Sequence, residues 1–387
     1  MHAPASPSTT RLWQLDALRG LMLVLMTLTH VPTRLTQPMG QPFGFVSAAF
    51  GFVFLSALLV GRVHGRRLIT AGAAPVRRAL WQRAGVVYAC HLALLLTLFG
   101  ILPHTGVVPE KGPLPGMLWY FHADPTAAVL GAVGLLHQPG LLDILPMYVV
   151  FLLVSPALLI QGARGGWPWM LAFSIGLWLA AQFGLGGPAY DRLASTTGIP
   201  VPRGALGAFD LLAWQLVWTG GLAFGWALAH GWQPRPARWP RALVATAALV
   251  ALTGLIWRHG VGQIPFPAAE QLNWLFDKWH MGPLRLLNAT ALLILVMRFG
   301  PRHNHPPRLL APLQRLGQAA LPVFCAHAVV AMLVLGLAGD EIRNRPPWVD
   351  LVILIVTFAT LFTVAELAHR RRSGALRRGA RTCASTA

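Results

Sequence analysis

Residues 15–30 read LDALRGLMLVLMTLTH: an acid and a base open an otherwise apolar run, and a histidine closes it. At about 1.5 Å per residue, the stretch from Arg19 to His30 covers roughly 16 Å of helix. That distance is close to three full turns, so the two side chains share a face. Asp16 stands one turn before Arg19, at the spacing where helical side chains meet. A polar stripe on a segment built for lipid must face other helices or a water-filled cavity, because an intramembrane ionisable residue costs about 2.5–3.5 kcal/mol on insertion scales. Blander alternatives stand beside this reading. Asp16 and Arg19 also fit an ion pair at the membrane border, and His30, just ahead of Pro32, also fits a helix end at the headgroups.

The rest of the chain follows the same logic. It has 387 residues, 55% of them hydrophobic and 11% charged, where a soluble protein carries about 25% charged residues. Spanning takes about 20 apolar residues, and ten stretches qualify: 15–33, 44–63, 84–103, 142–161, 168–186, 211–230, 241–257, 284–299, 317–338 and 349–368. The segment TAAVLGAVGLLH at 126–137 is too short to cross and is expected as a re-entrant or interfacial helix. The expectation is an all-α polytopic protein with about ten transmembrane helices. A tail at 1–14 precedes a single membrane domain at 15–368, and a basic tail at 369–387 follows it.

The net charge of +19 invites a nucleic-acid reading, and the placement of the basic residues argues against one. With the N-terminus inside and ten crossings, 21 of the 31 Lys and Arg fall in the inside segments and 9 in the outside ones, with Arg19 inside the first helix. Ten of the twelve acids fall outside. This is the positive-inside distribution, with both termini cytoplasmic. No small-residue cleavage site follows the first span, so it is expected to stay as an anchor. Cys90, Cys325 and Cys383 lie in apolar runs and the tail, which does not suggest a disulfide framework. His303 and His305 in RHNHPP lack Cys or carboxylate neighbours, so no metal site is expected there.

These residues resemble the acyltransferase-3 superfamily of membrane proteins, and within it the OpgC family, the succinyltransferases of osmoregulated periplasmic glucans. The resemblance rests on Asp-x-x-Arg-Gly in the first helix, then Arg19, ten residues and His30. It continues through FGFVSAAFGFVFLSALLVG at 43–61, LDILPMYVVFLLVSPALL at 142–159, AWQLVWTGGLAFGW at 213–226, DKWHMGPLRLLN at 277–288 and LGQAALPVFCAH at 316–327. It covers residues 11 to 370, nearly the whole chain. Three features depart from the pattern. Phe50 stands where a glutamate is expected, Ala57 where a glycine is usual, and Arg77, Arg78 and Arg83 replace a clean Arg-x-x-Arg element.

The resemblance implies an acyltransferase-3-like helical bundle in the bacterial inner membrane. Its implied activity moves succinyl or acetyl from cytoplasmic acyl-CoA to a hydroxyl of a periplasmic glucan, with acyl-CoA as co-substrate and no resident cofactor. His30 is then the general base, since an imidazole titrates in the range this chemistry needs. Asp143 is the carboxylate candidate for its partner, and it also fits a helix N-cap. Asp16, Arg19, Arg77, Arg78 and Arg83 are candidates for the acyl-CoA side of the site; the guanidinium groups at 77, 78 and 83 suit phosphate, and as inner-face charges they also serve orientation. Lys278 and Arg285 fit either a developing oxyanion or the free carboxylate of a succinyl group, and Lys278 equally fits a solvated loop. Trp214, Gln215 and His327 complete the set, His327 as a cavity lining or as a packing residue. Trp119, Tyr120, Trp274 and Trp279 suit sugar stacking or an interfacial aromatic belt. A transporter or glycan exporter, and a non-catalytic scaffold of glycan synthesis, are the rival classes.

Overall fold

The computed structural model describes residues 12–106, 113–302, 305–338 and 345–385. His303 lies outside them, as do Arg11, Glu110, Lys111, Asp340, Glu341 and Arg343, which entered the charge count above. The described residues are helical, with no strand among them. The helices are α1 (Trp13–His30), α2 (Thr36–Met39), α3 (Ala48–Ala71), α4 (Ala73–Leu95), α5 (Pro113–Met117), α6 (Trp119–Ala123), α7 (Pro125–Val133) and α8 (Ile144–Ala163). They continue with α9 (Trp167–Gln182), α10 (Gly186–Thr197), α11 (Leu211–Ala229), α12 (Arg241–Val261), α13 (Pro283–Phe299), α14 (Ala311–Gln318), α15 (Ala320–Ala338) and α16 (Pro347–Ser385).

Seven of these helices are long and apolar enough to cross a membrane, or eight if α9 and α10 count as one bent span. By length and composition the described residues therefore show seven or eight of the ten expected spans. The stretch 168–186 does not run straight: α9 stops at Gln182 and the chain turns by 86° into α10, through Gly184 with φ +68°. Helix α13 is only 17 residues long. Helix α1 has 18 residues but carries Asp16 and Arg19, the charges that made it notable in the sequence. The 126–137 segment forms the short α7, started by Asp124, whose side chain accepts from the Ala127 N–H at 2.9 Å. It is held against α4 by Tyr88, which donates to the Val133 carbonyl at 2.9 Å.

Small residues set the closest helix pairs, as expected where lipid offers no hydrophobic drive between helices. Helices α3 and α11 pack along their length, and a Cβ at Gly225 would land on the Leu58 carbonyl while one at Gly61 would land on Leu222. Helices α1 and α14 cross in the same way, Gly20 against the Leu313 carbonyl and Gly317 against that of Asp16. Helix α4 packs on α8, α9 on α11, α12 on α13 and α15 on α16. One continuous core runs from Leu23 and Met26 of α1 through Val53, Leu80, Met147, Trp214 and Trp218 to Phe324 and Met332 of α15.

Candidate functional site

At the C-terminal end of α1 the bundle opens into a cavity of about 280 Å³. Its wall includes Thr29 and His30 of α1, Ser47, Ala48 and Ala49 at the start of α3, Asp143 and Ile144 at the start of α8, Lys278 and Trp279 from a loop, and Phe324 of α15. Asp143, His30 and Lys278, three residues singled out from the sequence, are therefore brought together. Asp143 occupies the N-cap position of α8, yet its side chain makes no capping hydrogen bond; it is 8% exposed. The backbone beside it is held by Leu141 in the left-handed region at φ 65°, a conformation that costs free energy for a branched side chain and is kept only where the surroundings impose it.

His30 is half-buried. Its Nδ1 lies 2.9 Å from Nε2 of His327, and the two rings stack with centroids 5.1 Å apart and planes 26° from parallel. His327 is fully buried in the middle of α15, and its Nδ1 lies 3.2 Å from the Phe324 carbonyl. The hydrogen-bonding partner of His30 is thus another histidine; Asp143 shares the cavity with it.

The loop that carries Lys278 is pinned from several sides. Asp277 accepts from the Trp279 and His280 N–H groups at 2.8 and 2.6 Å and from His280 Nδ1 at 3.0 Å. The Trp279 carbonyl accepts from Trp214 Nε1 at 2.9 Å and from the Asp210 N–H at 3.3 Å. Lys278 lies 4.1 Å from the centre of the Trp279 ring. Burial, helped by the charge of Arg285 and opposed by that of Asp143, pushes the Lys278 ammonium down to about 8 from 10.5. The hydrogen bond that His280 donates to Asp277 raises its imidazole above the ordinary value, against the effect of burial.

Three further residues singled out from the sequence make hydrogen bonds within the fold. Arg285 is 3% exposed; its Nε donates to the Phe276 carbonyl at 2.8 Å, and its terminal nitrogen donates to the Phe45 carbonyl. Its donors tie α13 to the loop and to the entry of α3, away from the cavity wall. Gln215 donates to the Ser174 carbonyl at 2.8 Å and accepts from the Ser174 hydroxyl at 2.6 Å, which locks α11 to α9. Trp214 is fully buried and acts on the cavity through the loop carbonyl it holds.

A second, narrower hollow lies toward the N-terminal end of α1, lined by Arg19, Phe52, Arg83, Val87, Ile144, Leu145, Tyr148, Leu321 and Phe324. Arg19 sits 5.7 Å from the centre of the Phe52 ring. Of the three arginines on α4, Arg83 joins this hollow; Arg77 and Arg78 lie on the exposed face, Arg77 over the Trp81 ring at 5.5 Å. Asp16 is buried one turn away, at 3% exposure. Ile144 and Phe324 belong to both linings, so the two hollows share a wall. Sequence reading missed Tyr148, although a lone tyrosine in an apolar span is a usable signal. It also missed Phe324 and Ile144, for which no signal exists in an apolar run. Phe50, at the position of the expected glutamate, is absent from both linings and stacks on Phe54 at 6.3 Å. The sequence from 11 to 373 matches the family model described as OpgC protein. No curated protein and no solved structure matches the chain.

Proposed function

The chain belongs to the OpgC family, and on that footing we propose that it is an inner-membrane O-succinyltransferase acting on a periplasmic glucan with cytoplasmic succinyl-CoA as donor. Membership implies succinyltransferase activity in general; the donor, the acceptor, the orientation and the residue roles are our reading. The observation that carries it is the shared wall. A cavity lined by His30, Asp143 and Lys278 and a hollow lined by Arg19 and Arg83 have Ile144 and Phe324 in common. A donor made on one side and an acceptor kept on the other need such a pair of half-sites.

In this reading both termini are cytoplasmic and the His30 end faces the periplasm. Arg77 and Arg78 meet the nucleotide phosphates, for which planar guanidinium groups are well shaped. Arg19 and Arg83 line the entry of the pantetheine arm, with Asp16 holding the foot of α1. The thioester passes the wall and reaches the cavity, where Lys278 pairs with the free carboxylate of the succinyl group. Asp143 accepts a hydrogen bond from the sugar, and Trp279 offers it an aromatic face. His30 takes the proton of the attacking hydroxyl as its oxygen bonds to the thioester carbon. The tetrahedral intermediate collapses, the C–S bond breaks, and the departing CoA sulfur takes the proton back from His30. The products are a succinyl ester and free CoA, with no change in redox state.

The test is acyl transfer in membranes containing the protein, with isotopically labelled succinyl-CoA and glucan, read by mass spectrometry of the glucan. Wild-type protein adds one succinyl mass unit per site. His30→Ala is expected to lose on the order of 10²–10⁴-fold in rate, the usual share of a positioned general base. Full activity in that variant would refute the role.

A further inference from the structure

Resting on the acyl-transfer reading, we infer that His327 is a positioning residue that fixes the proton of His30 on Nδ1 and thereby makes Nε2 the basic nitrogen. The inference comes from the direction in which His30, His327, 297 positions away, and the Phe324 carbonyl can pass hydrogen bonds.

The argument starts at the far end. A backbone carbonyl accepts and never donates, so the 3.2 Å contact between His327 Nδ1 and the Phe324 carbonyl requires a proton on that nitrogen. A neutral imidazole has one N–H and one lone pair, so His327 Nε2 is an acceptor. It faces His30 Nδ1 at 2.9 Å, which must therefore donate. That uses the single N–H of His30 and leaves its Nε2 with the lone pair. The polarity of the chain is set by one carbonyl and runs from His30 through His327 to Phe324. Reversing it would leave two lone pairs facing each other or a lone pair against a carbonyl oxygen.

The same bond does two more things for the reaction. His30 is the last residue of α1, and the terminal ring torsion of a histidine is broad, so a ring there needs an outside anchor to hold its aim. His327 supplies one from the buried middle of α15, and the 26° stacking of the two rings restricts the ring further. When His30 takes the substrate proton, its Nδ1–H bond to neutral His327 becomes charge-assisted and strengthens. His327 thus does without charge what an orienting carboxylate does for a catalytic histidine. This frees Asp143 to face the acceptor.

Two measurements test this. The first reads the tautomer without turnover: imidazole ¹⁵N spectra of the full chain in lipid, labelled at histidine and assigned by comparison with His30→Ala. The Nδ1–H form of His30 is expected in the wild type, and an Nε2–H form would overturn the inference. The second is kinetic and compares His327→Leu, which lacks an acceptor, with His327→Gln, whose carbonyl oxygen can occupy the place of Nε2. His327→Leu should lower kcat about 100-fold or more, at the lower end of what a general base contributes, with KM for succinyl-CoA unchanged. His327→Gln should recover most of that loss. Equal losses in both variants, or none in either, would overturn the inference. Absence of transfer by the wild-type protein would instead remove the function proposed above, and the spectra would still decide the tautomer.

Discussion

Lys278 shows how one residue changes meaning when its neighbours are known. In the sequence it is a charge in a loop that solvent would explain. In the structure it lines the cavity with its ammonium pushed down to about 8 by burial, the charge of Arg285 adding to this and Asp143 opposing it. Below that value it is a cation and can pair with an anionic acyl group; above it, the pairing is lost. The preference for succinyl-CoA over acetyl-CoA, measured as the ratio of kcat/KM values, should therefore fall as pH rises through about 8. Lys278→Gln should give a low ratio that no longer varies with pH in that range. A ratio that stays high across pH in the wild type would remove Lys278 from carboxylate recognition. Arg285 makes the opposite point. It reads as a binding residue in sequence, and in the structure its Nε and one terminal nitrogen donate to the carbonyls of Phe276, Asp277 and Phe45.

At the scale of elements, the helices are held where side chains are missing. The α3–α11 contact needs glycine at 225, because any Cβ there meets the Leu58 backbone rather than a movable side chain. Gly225→Ala should destabilise the protein by about 1–3 kcal/mol, the usual range for overpacking a tight contact, seen as a lower Tm in detergent. Gly220, on the same helix, has nothing within 4 Å of its Cβ position. Gly220→Ala is therefore the matched control, and helix propensity favours it by up to about 1 kcal/mol. Equal effects of the two substitutions would argue against the close crossing. The bend between α9 and α10 belongs to this scale as well: an apolar run that reads as one span is broken at Phe183–Leu185, where Gly184 takes a positive φ.

For the whole molecule, the feature that matters is the wall between the two hollows. Ile144 starts α8 and Phe324 lies in α15, so the two linings meet at helices that are distant in sequence. If the acyl group crosses there, the bulk at position 324 controls the rate and leaves donor docking alone. Phe324→Trp should lower kcat by about tenfold or more, which corresponds to at least about 1.4 kcal/mol on the barrier, with CoA affinity by calorimetry unchanged. An unchanged kcat would mean that the acyl group takes another route.

The sequence alone settled the membrane class, the existence of most helices and the family, because these follow from local quantities: hydropathy over about 20 residues, turn residues, and the Arg19-to-His30 spacing along one helix. Arg19 and His30 stood out for the same reason, as polar groups on an apolar segment. What tertiary structure decided is the partner of each. A single helix specifies the depth of a side chain, whereas its neighbours depend on how that helix is rotated and which distant face packs against it. That is why the His30–His327 contact, the bracing roles of Arg285 and Gln215, and the Ile144–Phe324 wall emerge only when α1, α8, α13 and α15 are assembled.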